Sequence, residues 1–167
     1  AKNEFGVLQN FNLSIAITNE FLSAVRSDSS FALKNPRSGE VVQHVSAVEL
    51  FEAIAEQSWK TGDPGLIFID NMNSAYPFND RQVLCTGACG QYELESFEGV
   101  PYAHVNVSRM IKTNADGSIS LDHDLLRTVV SSAVHFLDNV VDMHKYIDPF
   151  FEQESKRSRK IGLGVMG

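Results

Sequence analysis

Leu66-Ile-Phe-Ile69 is the stretch that most narrows what this chain can fold into. Four apolar residues stand in a row, between an Asp63-Pro-Gly65 turn and Asp70-Asn-Met-Asn73. A half-buried strand alternates apolar and polar positions. An unbroken apolar run is instead the pattern of a strand covered on both faces, as in parallel sheets. Ile161-Gly-Leu-Gly-Val-Met-Gly167 reads as a second buried strand. Asp70–Asn73 is then expected at a strand's carboxyl end, where parallel sheets usually keep their sites.

The remaining segments supply the alternation that such a sheet needs. Phe11-Asn-Leu-Ser-Ile-Ala-Ile17 reads as a strand, and Thr18 as the N-cap of a short amphipathic helix through Arg26. Phe31–Lys34 and Glu40–Val45 read as a hairpin turned by Pro36 and Gly39. Ser46 and Glu49 form a capping box for a helix that runs to Trp59 and stops at Gly62, with Trp59 expected in the core. Ala103–Ser108 alternates as a strand, and Asn114–Gly117 is a turn. Leu121 to about Lys145 is the longest helix, with an apolar stripe from Leu125 to Val141. Asp148-Pro-Phe150 restarts the chain into a helix with acids first and bases last, as the macrodipole prefers. The order implies an α/β fold with a largely parallel sheet and a small hairpin insertion. The final strand ends without a covering helix, so the expectation is one segment, 1–167, from the interior of a barrel.

Charge and composition limit the partners. A formal charge of −7 argues against a nucleic-acid backbone or an anionic membrane surface. No apolar run approaches the roughly 20 residues of a membrane-spanning helix. Ala1-Lys-Asn-Glu-Phe5 has no apolar core of a secretory signal, which with two cysteines leads to an expected cytoplasmic location.

Both cysteines lie in Gln82-Val-Leu-Cys-Thr-Gly-Ala-Cys-Gly-Gln91. Cys85 and Cys89 are four apart, which suits neither a CxxC redox pair nor a zinc half-site, and no metal is expected. Two readings stand. Both thiols are small buried hydrophobes, which spacing alone favours, or Cys89 is a reactive thiol on a glycine-flanked loop sealed by apolar neighbours. His44 reads as a strand surface residue. His135, Asp138 and Asp142 share one helix edge, either solvated or an acid–base or metal edge, the former being commoner.

Several motifs resemble one family in order and spacing. Phe11-Asn-Leu-Ser-Ile-Ala-Ile-Thr18, Asn35-Pro-Arg-Ser-Gly-Glu40, Thr61-Gly-Asp-Pro-Gly-Leu-Ile-Phe-Ile-Asp70, Phe136-Leu-Asp-Asn-Val-Val-Asp142 and Arg159-Lys-Ile-Gly-Leu-Gly-Val-Met-Gly167 are similar to the large catalytic subunit of ribonucleotide reductases, above all the adenosylcobalamin-dependent class. The resemblance implies part of an α/β barrel of ten strands with a radical-bearing cysteine on an internal finger loop. It also implies adenosylcobalamin as cofactor, although no site for it is evident in these residues, and a ribonucleotide as substrate. In that chemistry the thiyl radical takes the ribose 3′ hydrogen, a glutamate is the base on the 3′ hydroxyl, an asparagine orients the sugar, and two further cysteines give electrons.

The family's loop reads Asn-Pro-Cys-Gly-Glu, and here the frame is Gly87-Ala-Cys89-Gly-Gln91. The resemblance puts the radical on Cys89, places Gln91 at the general-base position and Gly87 at the sugar-orienting position. Gln91 does not accept a proton at neutral pH as a carboxylate does, and Gly87 has no amide. A family redox cysteine falls at Val100, which cannot be oxidised, and Cys85 is a weak substitute. The expectation is a reductase barrel inactive as this chain alone. The alternative is a lapsed relative serving as an oligomeric or nucleotide-binding module. Apolar strand edges at Leu66–Ile69 and Ile161–Met166 point to self-association or a complementary chain.

Overall fold

The structure, a computed structural model, describes residues 7–167, which form two compact units divided between Glu95 and Ser96. In the first unit the order is β1 (Ser14–Ile17), α1 (Asn19–Arg26), β2 (Ser30–Lys34), β3 (Val41–Ser46), α2 (Ala47–Thr61), β4 (Gly65–Phe68), α3 (Ile69–Ala75), β5 (Cys85–Thr86) and β6 (Glu93–Leu94). The second holds β7 (Tyr102–Asn106), a 3₁₀ turn over Val107–Met110, β8 (Ile111–Thr113), β9 (Ile119–Leu121), α4 (His123–Met143), α5 (Pro149–Ser158) and β10 (Gly162–Met166).

Local chemistry sets the helix boundaries of the first unit. Thr18 Oγ1 accepts the Phe21 N–H at 3.1 Å to cap α1. Ser46 Oγ accepts the Glu49 N–H at 3.3 Å to cap α2. Gly62, with φ of 79°, ends α2 in the left-handed conformation that a residue with a Cβ resists. β1 and β4 pair in parallel, Ser14 with Gly65 through Ile17 with Phe68, and the connection between them carries α1, the β2–β3 hairpin and α2. The core here is Ile17, Phe21, Ala47 and Ile54, with Phe31 edge-on to Phe21 at 5.1 Å between ring centres.

In the second unit β7 and β10 pair in parallel, Tyr102 with Gly162 through Asn106 with Met166. Val105, Met110, Leu137 and Val141 are its buried apolar residues. Asp122 caps α4 through the N–H groups of Asp124 and Leu125, and Asp148 caps α5 through Phe150.

Several expectations need correction. The chain is mixed α/β, but the strands are not mostly parallel: of five two-stranded sheets among the described residues, two are parallel and three antiparallel, and no closed barrel forms. β4 is a strand, but its faces are open, with Leu66 at 40% and Phe68 at 44% exposure. β10 is likewise open, with Val165 at 74%. Apolar character signals what a strand is built to bury, not what lies within reach to cover it. Trp59 is not in the core and stands 84% exposed. At 100° per residue it lies about 140° round the helix from buried Ile54. The stripe on α4 narrows to Leu137 and Val141, one turn apart, while Leu125 and Phe136 face outward.

Candidate functional site

The cysteine segment folds as a closed hairpin. Cys85 pairs with Leu94 and Thr86 with Glu93, and the Gly87 N–H donates to Tyr92 O at 2.9 Å. Gly90 N–H returns to Gly87 O at 2.9 Å, so residues 87–90 form a β-turn with Cys89 at its third position. Gly90 takes φ of 77°, which glycine reaches without penalty. Both thiols are free and exposed, so the reading as buried hydrophobes is overturned, and apolar flanks do not seal the loop. A short hairpin tip has no second layer to bury it.

The loop's polar groups converge on Cys89. Gln91 Oε1 accepts the Cys89 N–H at 2.9 Å, so this side chain serves as a backbone acceptor. Asn12 Nδ2 donates to Cys89 Sγ at 3.7 Å across 77 positions of sequence. Gly87 is buried under the Tyr92 ring: a Cβ there would stand 2.5 Å from Cζ and 2.7 Å from Cε2. Cys85, Gly87, Cys89 and Gln91 are thus together in one hairpin, whereas Val100 belongs to the second unit.

Two anchors hold this hairpin to the elements before it. Asn73 on α3 accepts the Val83 N–H at 2.8 Å and donates to Val83 O at 3.1 Å and Ile69 O at 3.0 Å. Val83 is fully buried, so the amide satisfies both of its backbone groups where water does not reach. Tyr76 donates its hydroxyl to buried Glu95, just past β6, and Arg81 Nη1 lies 3.8 Å from the same carboxylate. The Arg81 guanidinium also stacks 4.3 Å above the Phe78 ring. Beside the hairpin, Leu66, Phe68, Met72, Thr86 and Gly90 bound an open hollow of about 460 Å³, within the size range of small-ligand sites.

Asp70–Asn73 begins α3 instead of forming a loop after β4. Asp70 accepts the Asn19 N–H at 2.6 Å, and Asn73 forms the Val83 anchor. The His135–Asp138–Asp142 edge of α4 is not an acid–base set. Arg159 donates from Nε to Asp138 at 2.9 Å and from Nη1 to Asp142 at 2.8 Å. Its hydrogen bond holds the Asp142 carboxyl below the usual range despite the opposing pull of desolvation. Among the described residues no group of three or more His, Cys, Asp or Glu side chains could hold a metal ion. His44 is exposed on β3, as expected of a surface position. Asn12 and Tyr92 carried no sequence signal of these contacts, and Asn73 carried only its place after the β4 run, because each acts through a contact that local pattern does not encode.

The family model described as "Ribonucleotide reductase, barrel domain" matches residues 1–167. A vitamin B12-dependent ribonucleoside-diphosphate reductase of Mycobacterium tuberculosis (strain CDC 1551 / Oshkosh) is 41% identical over 161 residues, covering 96% of this chain and 22% of its own length. One from Thermoplasma acidophilum is 37% identical over 166 residues, covering 99% and 21%. A vitamin B12-dependent ribonucleotide reductase of Streptomyces clavuligerus is 24% identical over 157 residues, covering 93% and 16%. The chain therefore spans about a fifth of the length of the first two relatives. With a family match over its whole length, the chain belongs to the ribonucleotide reductases, as a segment of their barrel domain.

Proposed function

We propose that these residues are one segment of the catalytic barrel, ten-stranded when whole, of an adenosylcobalamin-dependent ribonucleotide reductase, with Cys89 as the thiyl-bearing residue. The observation that carries this is the exposed Cys89 thiol at the tip of a tight turn, inside a segment that matches the family throughout. Relatives named ribonucleoside-diphosphate reductases favour a ribonucleoside diphosphate as substrate. The resulting deoxyribonucleotide supports DNA synthesis in the cytoplasm.

When bound, adenosylcobalamin supplies a carbon radical. What this segment offers it is the exposed Cys89 thiol. As a thiyl radical, Cys89 would take hydrogen from the ribose 3′ carbon, breaking that C–H bond and forming S–H. Gln91 holds the Cys89 backbone still during this exchange. It is neutral and takes no proton, so the 3′ hydroxyl needs a base from elsewhere in the whole barrel. Val100 holds no electrons to give, and Cys85 is the local thiol that remains. The 167 residues alone are accordingly inactive, and their open strands β4 and β10 pair with complementary parts of the barrel or with each other.

The test uses the natural chain that contains these residues, with adenosylcobalamin, a ribonucleoside diphosphate and a dithiol reductant. Deoxyribonucleotide should form, and Cys89→Ser should abolish it. Absence of product from the unmodified protein would sink the proposal and favour a lapsed, nucleotide-binding relative, the reading to which Gly87 and Gln91 lend themselves.

A further inference from the structure

We infer that Asn12 supplies the amide of the Cys89 site, holding the sulfur in position for hydrogen exchange while position 87 is barred from doing so. The inference rests on Cys89 being the reacting sulfur, and three observations support it. First, Asn12 Nδ2 lies 3.7 Å from Cys89 Sγ, within reach of a hydrogen bond to sulfur. Second, its backbone is placed by its neighbour: Leu13 O accepts the Gly65 N–H at 2.9 Å, and the Leu13 N–H donates to Asp63 Oδ1 at 3.4 Å. The amide therefore rides on the start of the β1–β4 pair, not on a free loop. Third, a Cβ at position 87 would stand 2.5 Å from Cζ of the Tyr92 ring, so with the ring in place the loop has no room for a polar group at its root.

A carboxamide has two N–H donors and a carbonyl acceptor. One donor can hold the sulfur while the remaining groups meet a ribose hydroxyl. Asn12 would then do from across the first unit what the loop residue at 87 cannot. Gln91 turns its oxygen to the Cys89 N–H, and the amide nitrogen within hydrogen-bond reach of the sulfur is that of Asn12.

Two measurements on the natural chain test this. Asn12 is exposed, so substitution there leaves the core intact. In Asn12→Asp a carboxylate faces the sulfur and disfavours its nucleophilic form. Labelling of Cys89 by iodoacetamide should fall about threefold or more relative to Cys85, the exposed internal control on the same hairpin. Tandem mass spectrometry assigns each label. A Cys89 to Cys85 ratio equal to that of the unmodified protein overturns the contact. In Asn12→Ala, kcat for ribonucleotide reduction should fall about tenfold or more with KM nearly constant, as when an interaction confined to the transition state is removed. Unchanged kcat overturns the positioning role. A natural chain with no reductase activity at all counts against the Cys89 proposal instead, and the labelling ratio alone then decides whether Asn12 holds the sulfur.

Discussion

Gln91 turns its side-chain oxygen back to accept the backbone N–H of Cys89 at 2.9 Å. The side chain thus works as a clamp on the turn. Replacing it by alanine leaves the Cys89 N–H to water, and a lost hydrogen bond of about 1 kcal/mol corresponds to roughly fivefold faster amide exchange at Cys89. Exchange rates measured by mass spectrometry check this. Gln91→Glu retains an acceptor for the same N–H and adds a base. Exchange at Cys89 should therefore stay within about twofold of the unmodified protein, since the acceptor is kept.

Asn73 and Val83 form the second test. Asn73→Ala strands both backbone groups of a fully buried residue. The local cost should be about 2 kcal/mol, a roughly 30-fold faster exchange at Val83. Loosened anchoring should also lower turnover in the natural chain, although Asn73 lies on α3 and outside the hairpin. Unaltered exchange at Val83 would remove Asn73 from any role in placing the loop.

Gly87 and Tyr92 should behave as a coupled pair. Gly87→Ala drives a methyl into the ring at 2.5 Å, so the ring must swing aside. The expected cost is about 1–3 kcal/mol from overpacking. In a Tyr92→Ala background that obstacle is gone, and the same substitution should cost far less. A double-mutant cycle by urea unfolding should give a coupling of about 0.5–3 kcal/mol, and strict additivity would mean the ring does not constrain position 87.

Acid should loosen the second unit before neutral pH does. Asp142 is held below its ordinary value first by the Arg159 hydrogen bond, and Asp122 by the Leu125 N–H at the cap of α4. A carboxyl depressed in the folded state stabilises fully above its unfolded value of about 3.9, and that contribution is lost as pH falls through the folded value. Thermal midpoints should therefore be flat between about pH 7 and 5 with respect to these groups, then fall below about pH 4. Asp142→Asn should reduce the acid-side fall, and added salt should weaken the Arg159 pairing because it is partly exposed.

Self-association is expected of the 167 residues by themselves. Leu66, Phe68, Val165 and Met166 all stand open on strands that have backbone groups to pair. Sedimentation should show concentration-dependent oligomers at micromolar protein, and charged substitution at Phe68 should shift them toward monomer. A monomer across that range would mean that these edges are not adhesive.

Short-range chemistry was legible from residue order. Thr18, Ser46 and Gly62 set helix ends through bonds that span only three or four residues. The Phe31–Lys34 hairpin and the cap at Asp148 follow from the same local logic. The family was legible too, because its motifs occur in order along nearly the whole chain. Burial was not. Trp59 and Leu66 have the character of interior residues, and one of the two readings buries both thiols, yet exposure depends on which neighbours come within reach.

The sequence by itself determined where α1, α2 and α5 begin and which loop carries the thiols, and its resemblance to the family set the expectations for Gly87 and Gln91. Only the tertiary structure decided what those positions do instead. Gln91 clamps the turn, Tyr92 closes over Gly87, and Asn12 meets the sulfur across 77 residues. The reason is physical: caps and turns act between near neighbours along the backbone, whereas a side chain's partner at a distance exists only after the pairing of β1 with β4 and the closure of the hairpin bring it into range.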